Sequence, residues 1–237
     1  MKNKTIQRMK KIFLLLLMTA TLTANGQNHL LGIESGVALT NATAIGDRFR
    51  TSFAIGATYD YVFKNDFSIS TGIIYNQRGF RYDIIIRDSP QDPGKKMGKK
   101  FKYNYDYVTI PLKVGYSFGH NYGFGGNYNE NYYSFVNIGL TPSILIDAKV
   151  IEPKVEINGT VVLPGRKHNI TKSVNRFDVG GIIEIGGGYK FEDRFWLFLA
   201  VSYQHSLTTF VNSEYNPPRH YGIAINLGLK YKLTAAN

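Results

Sequence analysis

The chain has 237 residues, of which 43% are hydrophobic and 19% are charged, with 24 Gly, 17 Tyr, 15 Phe and no Cys. This composition excludes a disordered chain, and the lack of Cys excludes disulfides, thiolate metal sites and cysteine catalysis. The formal net charge is +11, but five of the basic residues lie within the first 26 positions, which hold no acidic residue. No run of 18 apolar residues occurs, so the sequence predicts no membrane-spanning helix.

The first 26 residues have the three-part layout of a secretory signal peptide. Basic residues are spread over positions 2–11, and an unbroken apolar run covers positions 12–18. Ala24 and Gly26 then stand at positions −3 and −1 of a cut before Gln27. The alternative is a buried N-terminal helix of a cytosolic protein, which does not require this order of segments. We therefore expect residues 1–26 to be removed and residues 27–237 to act outside the cytoplasm.

After this segment, large apolar side chains alternate with small or polar ones. A period of two places successive side chains on opposite faces of a strand. Near the C-terminus, for example, Tyr221, Ile223 and Ile225 alternate with Gly222 and Ala224. Eight segments show the pattern: 30–40, 49–63, 67–76, 105–118, 132–146, 177–189, 195–205 and 220–233. The sequence thus predicts one all-β domain over residues 27–237.

The face opposite the apolar one distinguishes a soluble barrel from a membrane barrel. A soluble barrel turns its apolar face inward and carries many Lys and Glu outside. Here the second face is mostly Gly, Ala, Ser, Thr and Asn, which suit the narrow interior of eight strands. The apolar face then points at lipid. The prediction is an eight-stranded antiparallel up-and-down transmembrane β-barrel in the outer membrane.

Aromatic residues and connection lengths agree with this prediction. Tyr and Phe gather at strand ends, as an interfacial girdle requires. Predicted inner links are 64–66, 119–131 and 190–194, and predicted outer loops are 41–48, 79–104, 147–176 and 206–219. Apart from the long inner link 119–131 and the short outer loop 41–48, the inner turns are short and the outer loops long, which places both chain termini in the periplasm.

Residues 105–118 read Tyr-Asp-Tyr-Val-Thr-Ile-Pro-Leu-Lys-Val-Gly-Tyr-Ser-Phe. This segment resembles the strand motif Tyr-Leu-x-Ile-Pro-Leu of the PorT-like outer-membrane β-barrel family of Gram-negative bacteria. Segments 137–140 and 177–181 resemble two further signatures of that family. The resemblance implies an outer-membrane barrel and a link to type IX protein secretion. Pro111 in the first motif is expected to mark a bulge, because proline cannot donate a ladder hydrogen bond.

Charged residues on the predicted interior face form the first candidate site. They are Glu34, Asp60, Arg78, Lys113, Asp178, Glu184, Lys230 and Lys232. Four acids and four bases balance, and charges in a narrow lumen of low dielectric constant are expected to pair. Glu34 and Lys230 lie near the ends of the first and last strands, which meet if the barrel closes. We interpret the set as an internal plug, in preference to a conducting pathway.

Basic residues in the predicted loop 79–104 form the second candidate site. They are Arg87, Lys95, Lys96, Lys99, Lys100 and Lys102. Such a cluster is suited to the phosphates of lipopolysaccharide or to an acidic partner. A solvated charge run that keeps the loop extended is an equally good interpretation. No nucleic acid is expected as a partner, because no recognition fold is present.

Enzymatic function requires groups that converge. His205 and His220 lie on consecutive predicted strands near the outer rim, with Ser206 and Glu214 close by in sequence. Alternation, however, places the two histidines on opposite faces of the sheet, and no nucleophile elbow is present. The stretch 186–188, Gly-Gly-Gly, lacks the Lys and the helix of a phosphate loop and is typical of close packing. The sequence predicts no catalytic, metal or cofactor site.

The leading functional hypothesis is therefore a non-enzymatic scaffold or interaction protein. It would contact the lipid bilayer and lipopolysaccharide and would bind proteins of secretion or envelope assembly. A narrow transport or ligand-binding barrel is the alternative, and a hydrolase or acyltransferase at the outer rim is a remote one.

Overall fold

The computed structural model describes residues 28–63, 65–86, 97–118, 131–152, 155–157, 160–163, 165–191, 194–211 and 216–233. The expected signal peptide lies outside these residues and stays a prediction. No helix within the described ranges is long and apolar enough to cross a membrane.

Strands dominate the described residues. They are β1 (Asn28–Ala42), β2 (Arg50–Val62), β3 (Phe67–Ile86), β4 (Met97–Thr109), β5 (Leu112–Phe118), β6 (Tyr132–Ile151), β7 (Val155–Ile157), β8 (Thr160–Leu163), β9 (Lys167–Asn169), β10 (Phe177–Phe191), β11 (Phe195–Ser206) and β12 (His220–Leu233). One 3-10 turn covers Thr171–Ser173. β7 and β8 pair with each other in a separate two-stranded sheet, and β9 adds to the edge of β6.

The principal sheet closes into a ring of eight antiparallel barrel strands. We call each of these eight a stave, because one of them is made of two successive strands. β1 pairs with both β2 and β12, and the ring is completed where β10 pairs with β6. β4 and β5 together make one stave, since both lie between β3 and β6. The predicted eight-stranded antiparallel barrel is confirmed.

The side-chain orientation predicted from the alternation is also confirmed. On β12, Ile223 and Ile225 are 52% and 57% exposed on the outside, whereas Asn226 and Gly228 face the lumen. Tyr221 and Tyr231 mark the two ends of this outward apolar stretch. Ten residues at ~3.3 Å each, tilted by ~45°, give a height of about 23 Å, close to the ~25 Å apolar band of an outer-membrane barrel.

The two ends of the barrel differ, and we name them by their connections. The short-turn end carries Asn28, Leu233 and the short β2–β3 and β10–β11 connections. The long-hairpin end carries the β3–β4 hairpin and the long β6–β10 connection. The predicted loop 79–104 is wrong in most of its length, because β3 continues to Ile86 and β4 begins at Met97, with these two residues paired. Pairing between β3 and β4 stabilises this hairpin. Strands with an alternating pattern can pair outside the lipid as well as within it.

Pro111 does not shift the strand register, contrary to expectation. Thr109 pairs with Ser143 and Leu112 with Leu140, which is one continuous register across the proline. Pro111 removes one donor, but the neighbouring Ile110 N–H still donates to the carbonyl of Pro142 at 2.9 Å. The register shift occurs earlier in the stave, between Asp106 and Tyr107.

Aromatic rings surround the outside of the short-turn end, where neighbouring staves contribute interacting pairs. These pairs are His29–Tyr61, Phe67–Tyr116, Tyr132–Tyr189, Phe191–Phe195 and Phe195–Tyr231. A second, looser set at the long-hairpin end includes the pairs Phe53–Tyr75 and Phe49–Tyr221. Two such belts enclosing an aliphatic band are what the two membrane interfaces require.

Candidate functional site

The lumen holds a buried ion pair between Arg78 on β3 and Asp178 on β10. β3 and β10 are three staves apart, so this pair crosses the interior. Arg78 also donates to Ser143 Oγ at 2.9 Å, and its guanidinium lies 4.6 Å from the centre of the Tyr107 ring. The Asp178 carboxylate accepts hydrogen bonds from Ser206 Oγ at 2.9 Å and from Thr208 Oγ1 at 2.6 Å. These contacts thus compensate both charged groups for the hydration that they lose on burial.

A second ion pair joins Lys113 on β5 to Glu184 on β10. Lys113 Nζ donates to Glu184 Oε1 at 2.9 Å, and Asn137 Nδ2 on the intervening β6 donates to the same oxygen at 2.7 Å. Gly115 leaves the space for Asn137, since a Cβ at Gly115 would lie 1.9 Å from Asn137 Oδ1. Glycine at this position therefore supports the ion pair indirectly.

A third pair joins Lys230 on β12 to Asp60 on β2, with Nζ 2.7 Å from Oδ2. The same ammonium group lies 4.6 Å from the centre of the Phe198 ring, which adds a cation–π contact. Glu34, on the stave between them, is part of no pair among the described residues but interacts electrostatically with Lys113 and Lys230. Lys230 thus pairs with Asp60 rather than with Glu34, although the first and last strands, β1 and β12, do meet where the barrel closes.

Six of the eight predicted lumen charges therefore form three pairs, and Glu34 interacts electrostatically with Lys113 and Lys230 of two of them. The eighth, Lys232, is half-buried further toward the short-turn end and belongs to none of the three pairs. The inward orientation of these residues was expected from the alternation, and the plugging role assigned to them stays a prediction.

The lumen at the long-hairpin end is filled by an aromatic cluster that the sequence did not reveal. Phe210, from the segment after β11, is folded inward and stacks on the His220 ring at 4.1 Å between centroids. Tyr105 packs edge-on against the same imidazole at 4.7 Å, and Phe80 and Tyr107 belong to the same buried cluster. His220 is 2% exposed, and neither of its ring nitrogens has a hydrogen-bond partner among the described residues.

A second aromatic cluster fills the lumen toward the short-turn end. It consists of Tyr133, Phe135, Phe198 and Ala200, with Trp196 packed against it. Inward glycines make room for the rings: a Cβ at Gly186 would lie 2.4 Å from Phe135 Cζ, and one at Gly228 would lie 2.2 Å from Phe198 Cε1. Close packing thus explains glycine at these two lumen-facing positions.

A cavity of about 80 Å³ with a mixed polar and apolar lining remains between the two clusters. Its lining includes Glu34, Asn76, Arg78, Gln204 and His220. A space of this size suits a few water molecules, because these polar groups offer them hydrogen-bond partners. Buried water is also what the unpaired Nε of Arg78 and the nitrogens of His220 require.

The groups named for rim catalysis do not converge. His205 stacks on Tyr221 on the outside of the barrel, whereas His220 is enclosed in the lumen. Ser206 Oγ is bonded to Asp178 rather than to either histidine. Glu214 lies outside the described residues, and the described part of the chain holds no cluster of three metal-ligating side chains.

The basic cluster is only partly described. Lys100 and Lys102 are exposed on β4, opposite Asp83 and Arg81 on β3, so they lie on a strand rather than in a loop. Arg87, Lys95 and Lys96, and the side chain of Lys99, lie outside the described residues. The clustering predicted for these six residues stays a prediction.

Comparison with known proteins agrees with the architecture. Residues 25–212 match the family model described as outer membrane protein beta-barrel domain. The chain belongs to this family of outer-membrane barrels. No protein of curated function matches it in sequence.

Several solved structures resemble this outer-membrane barrel at low identity. Neisserial surface protein A is 13% identical, with 88% of this chain and 100% of that chain covered and a TM-score of 0.48. The attachment invasion locus protein of Yersinia pestis is 12% identical, with 87% and 98% covered and a TM-score of 0.43. OprG from Pseudomonas aeruginosa is 11% identical, with 89% and 97% covered and a TM-score of 0.41.

Proposed function

We propose that this protein is a non-enzymatic, non-conducting outer-membrane barrel that presents its long-hairpin end as an interaction surface. One observation carries the proposal: three ion pairs and two aromatic clusters occupy a lumen that eight strands leave barely wide enough for side chains. Because the lumen is filled, the long hairpins are the part of the molecule that we expect to bind a partner.

The barrel is oriented with the short-turn end in the periplasm and the long hairpins outside the cell. Short periplasmic turns and longer outer loops are the rule for such barrels. The chain has no Cys, so a single introduced Cys reports its own accessibility. A membrane-impermeant maleimide should label Lys100→Cys on intact cells and label Asn65→Cys only after the outer membrane is opened. The reverse labelling would overturn the orientation.

Exposed Lys100 and Lys102 supply part of a basic surface for lipopolysaccharide phosphates or for an acidic partner protein. Near an anionic membrane surface each Lys contributes roughly 1 kcal/mol of attraction. The double variant Lys100→Ser, Lys102→Ser should therefore weaken binding to lipopolysaccharide vesicles, and Lys167→Ser is the matched control. Equal binding by the wild type, the double variant and the control would show that Lys100 and Lys102 take no part in the interaction.

The partner class that we propose is the protein-secretion or envelope-assembly machinery, and within the family a PorT-like role in type IX secretion. The resemblance of residues 105–118 to the PorT-like motif supports this role. Affinity capture from intact outer membranes tests it: secretion components should be recovered with the wild-type barrel in stoichiometric amounts. Recovery of the barrel alone, at the same yield, would contradict the role.

A further inference from the structure

An aromatic pocket of about 450 Å³ lies at the long-hairpin end, and the aromatic cluster that fills the lumen there forms part of its wall. The Phe80 and Tyr103 rings stack in parallel at 4.5 Å between centroids, and Phe210 closes the pocket toward the lumen. Tyr82, which is 38% exposed, and Ile45, which is 37% exposed, also line the pocket and leave it reachable from water. A volume of this size is within the range that holds small-molecule ligands.

The opposite walls of the pocket are held in place by hydrogen bonds. Ile170 N–H donates to the carbonyl of Ala148 at 2.8 Å, which fixes the 3-10 turn against β6. Asn175 N–H donates to the carbonyl of Phe210 at 2.9 Å, which fixes the segment after β11. The 43–47 turn, with Ala44 at a φ of 68°, presents Ile45 from the third side. Such a preformed concave site is typical of ligand-binding pockets.

The chemistry of the lining selects the ligand. The aliphatic members are Ile45, Val150, Ile170, Val174 and Val211, and no described residue in the lining carries a charge. Hydroxyl groups, including those of Tyr82, Tyr103 and Ser173, are the polar side-chain groups available. The charged side chains of the hairpin, including Arg81 and Lys102, alternate with the pocket residues and so belong to the opposite face.

The linker between β3 and β4 offers little to fill the pocket. The segment 87–96, which joins β3 to β4, reads Arg-Asp-Ser-Pro-Gln-Asp-Pro-Gly-Lys-Lys and contains no aromatic or aliphatic side chain. We infer that this pocket binds a small, uncharged aromatic molecule, with hydroxyl groups at the pocket available to bond a single polar substituent. This ligand site goes beyond the proposed function, because it requires no partner protein.

Methyl NMR of the full barrel in lipid nanodiscs, titrated with 2-naphthol, tests the inference. Saturable shifts are expected at Ile45, Val150 and Ile170, without saturable shifts at the lipid-facing Ile223 and Ile225. Val174→Trp fills the pocket and should weaken the apparent affinity at least tenfold. Arg81→Trp places the same ring on the opposite face of the hairpin and should leave the affinity unchanged.

Three outcomes would overturn the inference. Non-saturating shifts that are equal at pocket and lipid-facing methyls would mean partition into the bilayer. Equal affinity in Val174→Trp and Arg81→Trp would place binding elsewhere. Contacts from residues 212–215 to the pocket methyls, without any response to 2-naphthol, would mean that the chain fills its own pocket. None of these outcomes depends on the protein partner, so failure here leaves the proposed function standing.

Discussion

Arg78 and Asp178 are 100 positions apart in the chain, yet they form a buried ion pair across the lumen. Each is also bonded to hydroxyl groups of other staves, Ser143 for Arg78 and Ser206 for Asp178. The pair therefore ties β3, β6, β10 and β11 together from the inside.

Breaking this pair from one side should destabilise the barrel strongly. Asp178→Asn leaves the Arg78 charge buried without its counter-ion, which costs about 3–5 kcal/mol of unfolding free energy in comparable buried pairs. The double variant Arg78→Gln, Asp178→Asn should recover much of this loss. Urea unfolding in lipid vesicles measures both effects.

The matched control for that experiment is Asp83→Asn at the more exposed Arg48–Asp83 pair. Surface pairs contribute about 0–1 kcal/mol, so this variant should unfold nearly as the wild type does. If Asp178→Asn were equally mild, the lumen pair would not be a structural element.

The lipid-facing band can be tested by its dependence on depth. Ile225 lies midway between Tyr221 and Tyr231 on the outside of β12, whereas Leu233 lies at the strand end. Ile225→Arg should cost about 2–4 kcal/mol, and Leu233→Arg about 0–1 kcal/mol, when folding into vesicles is measured. Equal costs at the two positions would contradict the assigned membrane span.

The packing of glycine against aromatic rings predicts a coupled pair of substitutions. A Cβ at Gly228 would overlap the Phe198 ring, so Gly228→Ala should lower stability by about 1–3 kcal/mol. Adding Phe198→Leu should make the double variant more stable than the sum of the two single losses. Gly181→Ala is the control, because a Cβ there meets no atom within 4 Å. Strict additivity of the first two changes would refute the contact.

The sequence predicted the staves and their two faces because lipid imposes one repeating pattern on every strand. Ile223 and Ile225 could be assigned to the outside from the small residues between them. The same alternation also identified the interior charges. Which charge meets which could not be predicted, because pairing depends on the stagger of the staves. Lys230, for example, reaches Asp60 two staves away.

The β3–β4 hairpin was missed because the alternation changes phase at the membrane boundary. On β3, Ile73 and Tyr75 face lipid at odd positions, but Phe80 and Tyr82 carry the large rings at even positions. Beyond the lipid, apolar side chains turn inward to cover the barrel mouth. A reversal of phase within one strand is therefore the signal that marks an extended hairpin.

The alternation placed His220 on the lumen face, but its contact with Phe210 could not be predicted for a different reason. Phe210 belongs to no strand, and its inward fold depends on hydrogen bonds from Asn175 N–H to its carbonyl and from its own N–H to the carbonyl of Pro218. An irregular segment has no repeating side-chain pattern, so its contacts cannot be predicted from periodicity in the sequence.

Planar-bilayer conductance of the purified wild-type barrel tests the central claim most directly. A lumen filled by three ion pairs and two aromatic clusters should give no steady open-channel current at any applied voltage that the bilayer tolerates. A steady ohmic current per inserted barrel, altered by Asp178→Asn or Phe198→Leu, would contradict the closed lumen and make the protein a channel.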